Sequence, residues 1–378
     1  MENDFQSSLN QAALEAELRL VLTPGVGPRT RRNLLLHFGS AENVFSADLL
    51  QLRAVEDVGP KIADAILAAK TEIDIDKELA YYRQLGIRLL FDSDVAYPKL
   101  LQEIYDPPGV LFIRGSLLPE DADSLAVIGT RHASQYGRQQ TFRLVSEFVN
   151  AGFCIVSGLA RGIDGFAHKA ALECGGRTVA VLGHGLGMDI YPPENKGLAQ
   201  QILESGGALI SEYPPLTPGT KGSFPQRNRI IAGMTLGTVV IEAGERSGTS
   251  LTASFASEYG RDVFAVPGPI DSPVSRGCHK LIRDGAKLLE SVQDILDELG
   301  PLHEKLPTHD GLEISRPAEL SLSEEEKQIL QALTPQGTTV DQITQLTGIP
   351  VFKIVTLLTQ MEIKCLIHRG AGQKIFRN

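Results

Sequence analysis

Tryptophan is absent from this 378-residue chain, and aromatic residues make up only 6% of it. A binding surface built mainly on aromatic stacking is therefore not expected, and stacking should be secondary to charge. Cysteine is scarce. Cys154, Cys174, Cys278 and Cys365 fall without metal-like spacing and read as reduced, mostly buried thiols of a cytoplasmic protein. No apolar run is long enough to span a bilayer. The opening residues lack the basic and apolar regions of a secretory signal, which agrees with a cytoplasmic location. The most local absence is of acid. The formal net charge is −10, yet no Asp or Glu occurs between Glu212 and Glu242, where Lys221, Arg227 and Arg229 lie. An acidic chain that clears carboxylates from one segment and leaves cations there presents an anion site.

What is present divides the chain into modules. Residues 1–85 read as short helices with two echoing turns, PGVGPR and EDVGPK, each followed by an amphipathic helix. This is the pattern of a helix-hairpin-helix, or SAM-like, domain, whose Gly-bearing turns can offer backbone N–H groups to a phosphate. Arg29, Arg31 and Arg32 are expected at the first turn and Lys61 at the second; such domains also serve purely as scaffolds. Residues 86–300 carry short apolar runs at 124–129, 153–158, 178–183, 208–213, 238–243 and 262–268, with helices between them. Near-continuous runs are strands buried on both faces, so the fold class is α/β, a Rossmann-like doubly wound parallel sheet. Runs at 86–91 and 110–115 extend it. Residues 301–320 read as a linker. Residues 321–378 restart with a capping box at Ser323 and Glu326, then a helix-turn-helix and a hairpin: a winged helix. Lys353, Arg369, Lys374 and Arg377 make DNA binding one reading of it. The apolar Val351, Ile354, Val355, Leu357 and Leu358 make protein interaction or dimerisation the other.

Ligands of open parallel sheets bind outside the carboxyl ends of the strands. Those ends are rich in small and polar residues here: Gly129-Thr130-Arg131, Ser157-Gly158 leading to Arg161, Gly183-His184-Gly185 leading to Asn195-Lys196, and Ser247-Gly248-Thr249. Glycines admit phosphate oxygens to backbone N–H groups, and arginines add fork geometry. One such turn is ordinary geometry; four on one rim, with five cations nearby, read as an extended polyanion site. The dinucleotide fingerprint is not met, because Met188 stands where its third glycine belongs, and there is no P-loop lysine motif.

Together the segments GTR, SGLARGID, GHGLGMDIYPPENKGL, SEYPP, KGSFPQRNRIIAG, EAGERSGTSLTASFASEYGRDVFAVPG and GCHKLIRDGAKLL resemble the DprA/Smf family of DNA-processing proteins. The resemblance implies a single-stranded DNA binder of natural transformation. It would protect incoming strands and load the RecA recombinase as a homodimer, without catalysis or cofactor. Carried onto this chain, it points to Arg131, Lys221, Arg227 and Arg229 as DNA contacts, with Arg161 and Lys196 in matching motifs. Asn228, Ser247, Gly248 and Thr249 would shape the pocket. The rival reading is a nucleotide-processing enzyme resembling phosphoribohydrolases, with Glu242 or Glu258 as acid or base and His168 or His184 in support. Against it, the PGG that precedes the GT of such enzymes is missing.

Overall fold

The computed structural model describes residues 10–299 except Arg246, and residues 323–334, 337–363, 367–369 and 374–377. The expected linker at 301–320, Cys365 and the side chains of Arg369 and Arg377 lie outside the described residues.

Nine strands form the central sheet: β1 (Arg88–Phe91), β2 (Val110–Gly115), β3 (Ser124–Ile128), β4 (Cys154–Ser157), β5 (Thr178–Val181), β6 (Ala208–Ser211), β7 (Gly237–Val240), β8 (Asp262–Ala265) and β9 (Lys287–Leu288). Their order is β1-β2-β6-β5-β4-β3-β7-β8-β9, parallel from β6 through β9. β1 and β2 extend the sheet antiparallel beside β6. The apolar runs are continuous because both faces are covered. Ala126 and Ile128 of β3 pack with Ile230 and Ile231 on one face, while Leu125 and Val127 pack with Leu144 and Phe148 on the other. The chain leaves β3 toward β4 on one side and returns to β7 on the other. The sheet's topological switch point therefore lies between β3 and β7.

The two echoing turns of the N-terminal segment take corresponding conformations. Gly27 and Gly59 cap helices that begin at Pro28 and Pro60, where a missing N–H costs nothing. Gly25 (φ 85°) and Asp57 (φ 65°) occupy the same left-handed position two residues before those caps. Leu20, Leu34, Val44, Leu52 and Ile66 form this bundle's own core. The helices Gln11–Leu22 and Ile75–Gln84 do more: Leu14, Leu18, Leu79 and Tyr82 join Phe112, Leu182 and Leu209 in one cluster under the sheet. No break in packing marks residue 85.

The arginines expected to open toward a phosphate at the first turn are already committed. Arg31 is buried, donating to Glu17 and, across to the sheet, to Asp92, both at 2.7 Å. Arg32 donates to the Tyr105 carbonyl at 2.5 Å. Arg29 pairs with Asp57 at 2.7 Å. The first two fasten the helical module onto the sheet. Lys61 is exposed.

The C-terminal segment has helices Glu324–Ala332, Val340–Thr347 and Val351–Ile363 with a small sheet of β10 (Thr338–Thr339), β12 (Lys374–Arg377) and β11 (Ile367–Arg369) in that order. The capping box of Ser323 and Glu326 is formed. Lys353 pairs with Glu325 at 2.5 Å.

Candidate nucleic-acid interface

A cleft of about 400 Å³ opens at the switch point. Its walls are Gly129, Thr130, Arg131 and His132 after β3, Ala160 and Asp164 after β4, and Ser247, Gly248 and Thr249 after β7. Phe224, Arg227 and Asn228 close it from the helix Ser223–Gly233. The loops after β3 and β4 touch: Gly162 takes φ 73°, and a Cβ there would lie 2.2 Å from the Thr130 carbonyl oxygen. Only glycine fits that approach.

Arg227 forms the floor. Its guanidinium is buried and donates to the carbonyls of Gly158, at 2.8 Å, and Val181. Asn228 accepts from its Nε at 3.2 Å. Burial pulls the Arg227 pKa down to about 10, opposed by Asp164 and reinforced by Arg131, so it stays cationic at neutral pH. Asp164 is the matching buried anion. Burial raises its pKa, against Arg227 and the backbone amides of Ala160, Gly129 and Gly158. Gly158 is squeezed between the two side chains: a Cβ would sit 2.4 Å from Arg227 Nη2 and 2.7 Å from Asp164 Oδ2. Asp164 stands in the SGLARGID segment, where nothing in the spacing announces its role in joining two loops.

Arg131 is exposed on the wall and makes no ion pair among the described residues. Lys221 is likewise exposed and unpaired there, just before the helix that carries Arg227. Ser247 stands at the N-cap of the helix Gly248–Glu258, and its buried Oγ has no hydrogen-bond partner among the described residues. That helix N-terminus, without a side-chain cap, faces the cleft. Exposed cation, buried cation and uncapped helix N-terminus together suit an anion.

Other expected residues fall elsewhere. Arg229 does not face this cleft. Two residues after Arg227 on a helix, it points to the opposite side, where it is buried against Asp106 at 3.0 Å and Glu212. Arg161 pairs with Glu194 at 2.7 Å and Lys196 with Asp189 at 3.5 Å, all four exposed on the rim. Ser157 turns into the sheet and donates to the Val127 carbonyl at 2.6 Å. Gly183 lies under the Phe224 ring, and Gly185 donates to the Thr217 carbonyl at 2.9 Å. Both are contacts of the loops with each other.

The groups of an acid–base reading are not gathered in the cleft. The buried Glu242 carboxylate accepts from Ser134 N at 2.9 Å and Ser134 Oγ at 2.5 Å, holding the residue that caps the helix Gln135–Asn150. Glu258 is exposed on another surface, beside Tyr105 and Tyr259. His184 is buried with Nδ1 3.0 Å from the Gly185 carbonyl, and burial lowers its pKa. His168 is fully buried with Nδ1 2.7 Å from Thr178 Oγ1. Burial first, and then Arg227, lowers the His168 pKa from 6.5 to about 3. The unfolded chain therefore takes a proton below pH 6.5 that the folded chain refuses, and stability falls as pH falls through that range. Between pH 7 and pH 5 this one group should remove about 2 kcal/mol. Urea unfolding at both pH values, with His168→Gln as control, should show a smaller acid loss in the variant.

Residues 88–300 match the family model of DNA recombination-mediator protein A. The chain belongs to that family. Residues 313–373 match the DprA winged helix domain and residues 18–69 a SAM-like helix-hairpin-helix tandem. Protein Smf of Synechocystis is 34% identical over 93% of this chain and 96% of its own length. The DNA processing protein DprA of Bacillus subtilis is 43% identical over 61% of this chain and 80% of its own. The X-ray structure of DprA from Streptococcus pneumoniae superposes with a TM-score of 0.65 at 38% identity, covering 75% of this chain and 97% of that one. In this member of the DprA family, the loops of the cleft fall inside the matched segment 88–300, whereas Arg31 and Arg32 stand in the helix-hairpin-helix match at 18–69.

Proposed function

We propose that this DprA-family protein binds single-stranded DNA in the cleft through its phosphates and delivers the strand to a RecA-type recombinase. The observation that carries the reading is Arg131, exposed and unpaired among the described residues, across from the buried Arg227 at the sheet's switch point. The acid-free stretch from 213 to 241 supports it, because no carboxylate of that segment competes for the cations. Arg131 and Lys221 make direct contacts, Arg227 supplies charge from the floor, and Ser247 with the following helix N-terminus receives a phosphate oxygen. Arg161 and Lys196 sit in exposed, solvent-screened pairs, which a phosphate can displace. Gly129, Thr130, Gly158, Gly248 and Thr249 shape the pocket. Arg229 is left out of the contacts because its charge is already neutralised.

Binding without bond cleavage fits a cleft in which Glu242 is occupied by the helix-capping Ser134. Delivery to a recombinase rests on membership of a family of DNA recombination mediators; protection of the strand and action as a homodimer belong to the same proposal. A cytoplasmic site of action belongs to the same reading; no helix among the described residues is long and apolar enough to cross a membrane.

The test is fluorescence anisotropy of a labelled single strand and its duplex over a range of salt. Two phosphates met by Arg131 and Lys221 give a log–log slope of about −1.4, at about 0.7 per contact for a single strand. A preference for the single strand with that slope supports the reading. Equal affinity for the duplex, or affinity indifferent to salt, contradicts it.

A further inference from the structure

Aromatic residues are few in the chain, yet two of them meet beside the cleft. Tyr191 lies beside Phe224, their ring centroids 5.6 Å apart and the planes tilted by 42°. Phe224 borders the cleft and is held from both sides. A Cβ on Gly183 would lie 2.7 Å from its Cδ1, and one on Gly219 would lie 3.0 Å from its Cζ. That wedge leaves Phe224 half-buried, whereas Tyr191 is 51% exposed. The outer, accessible ring of the pair is thus the tyrosine.

The loop that presents it is fastened to the cleft. Asn195 Nδ2 donates to the carbonyls of Leu159 at 2.9 Å and Ala160 at 3.0 Å, and Ala160 is itself a cleft wall. The rim pairs Lys196–Asp189 and Arg161–Glu194 use the same loop. Tyr191 is thus a large aromatic surface in water, backed by another ring and carried on the loop that also bears Lys196. We infer that Tyr191 is a stacking platform for a base of the bound strand, next to the phosphate-binding cleft. The inference rests on the single-strand reading above and gives it a source of selectivity, since paired bases of a duplex cannot lie on such a ring.

The absence of tryptophan from the chain makes a direct test available. Tyr191→Trp carries the chain's one indole, whose emission should be quenched when an oligo-dT strand binds. An abasic oligomer of equal length should bind about tenfold more weakly and leave the emission unchanged. In anisotropy, Tyr191→Phe should bind oligo-dT as the parent does, and Tyr191→Ala about tenfold more weakly. Binding of oligo-dT by Tyr191→Trp without quenching, or unchanged affinity of Tyr191→Ala, overturns the inference. Failure of the parent protein to bind any single strand overturns instead the reading on which it rests.

Discussion

Arg229→Ala is expected to destabilise the sheet domain by about 3–5 kcal/mol, the usual consequence of removing one partner from a buried ion pair. The guanidinium is flanked by Asp106 and Glu212, both of which lose their countercharge. Glu212 is the worse placed of the two, since burial already raises its pKa and Arg229 is what opposes that. Asp106 lies between β1 and β2, and Glu212 follows β6, so the pairs also tie the antiparallel edge to the helix Ser223–Gly233. Urea unfolding followed by circular dichroism measures the effect. A loss under 1 kcal/mol would mean that the pairs are dispensable. Sequence motif and charge alone point the other way, to a variant that folds normally and no longer binds DNA. Helical geometry favours the loss of stability: positions two apart do not share a face, and of the two arginines it is Arg227 that lines the cleft.

The second large effect is on binding. Arg131→Ala should weaken single-strand affinity by about 10- to 150-fold, the 1.5–3 kcal/mol of one charge-assisted hydrogen-bonded contact. The salt slope should fall by about 0.7. Its stability should match the parent's, because the side chain is exposed and unpaired among the described residues. Titration by anisotropy and unfolding by urea, on one preparation, separate the two outcomes. Weakened binding with lowered stability would place Arg131 in the framework instead.

Much of this was legible in the chain. Strands with both faces buried announce themselves as continuous apolar runs, and the strand ends at Gly129, Gly158 and Gly248 locate the cleft. β9 was not legible, because Lys287–Leu288 is too short to carry a pattern. Nor was the partnering of cations. Arg31, Arg131 and Arg229 look alike as residues, yet Arg31 meets Asp92 and Arg229 meets Asp106 across long stretches of chain. Those meetings belong to tertiary structure and leave no local periodicity. The same holds for Tyr191, on the loop after β5, and Phe224, in the first turn of the helix Ser223–Gly233, which only the tertiary fold brings together.

The most direct measurement is a crystal structure with a short oligo-dT strand. The account predicts a backbone phosphate within hydrogen-bonding distance of Arg131 and of the helix N-terminus at Ser247, with the Arg229 pairs intact. A strand held instead on the N-terminal turns or the winged helix, with the cleft empty, would contradict it.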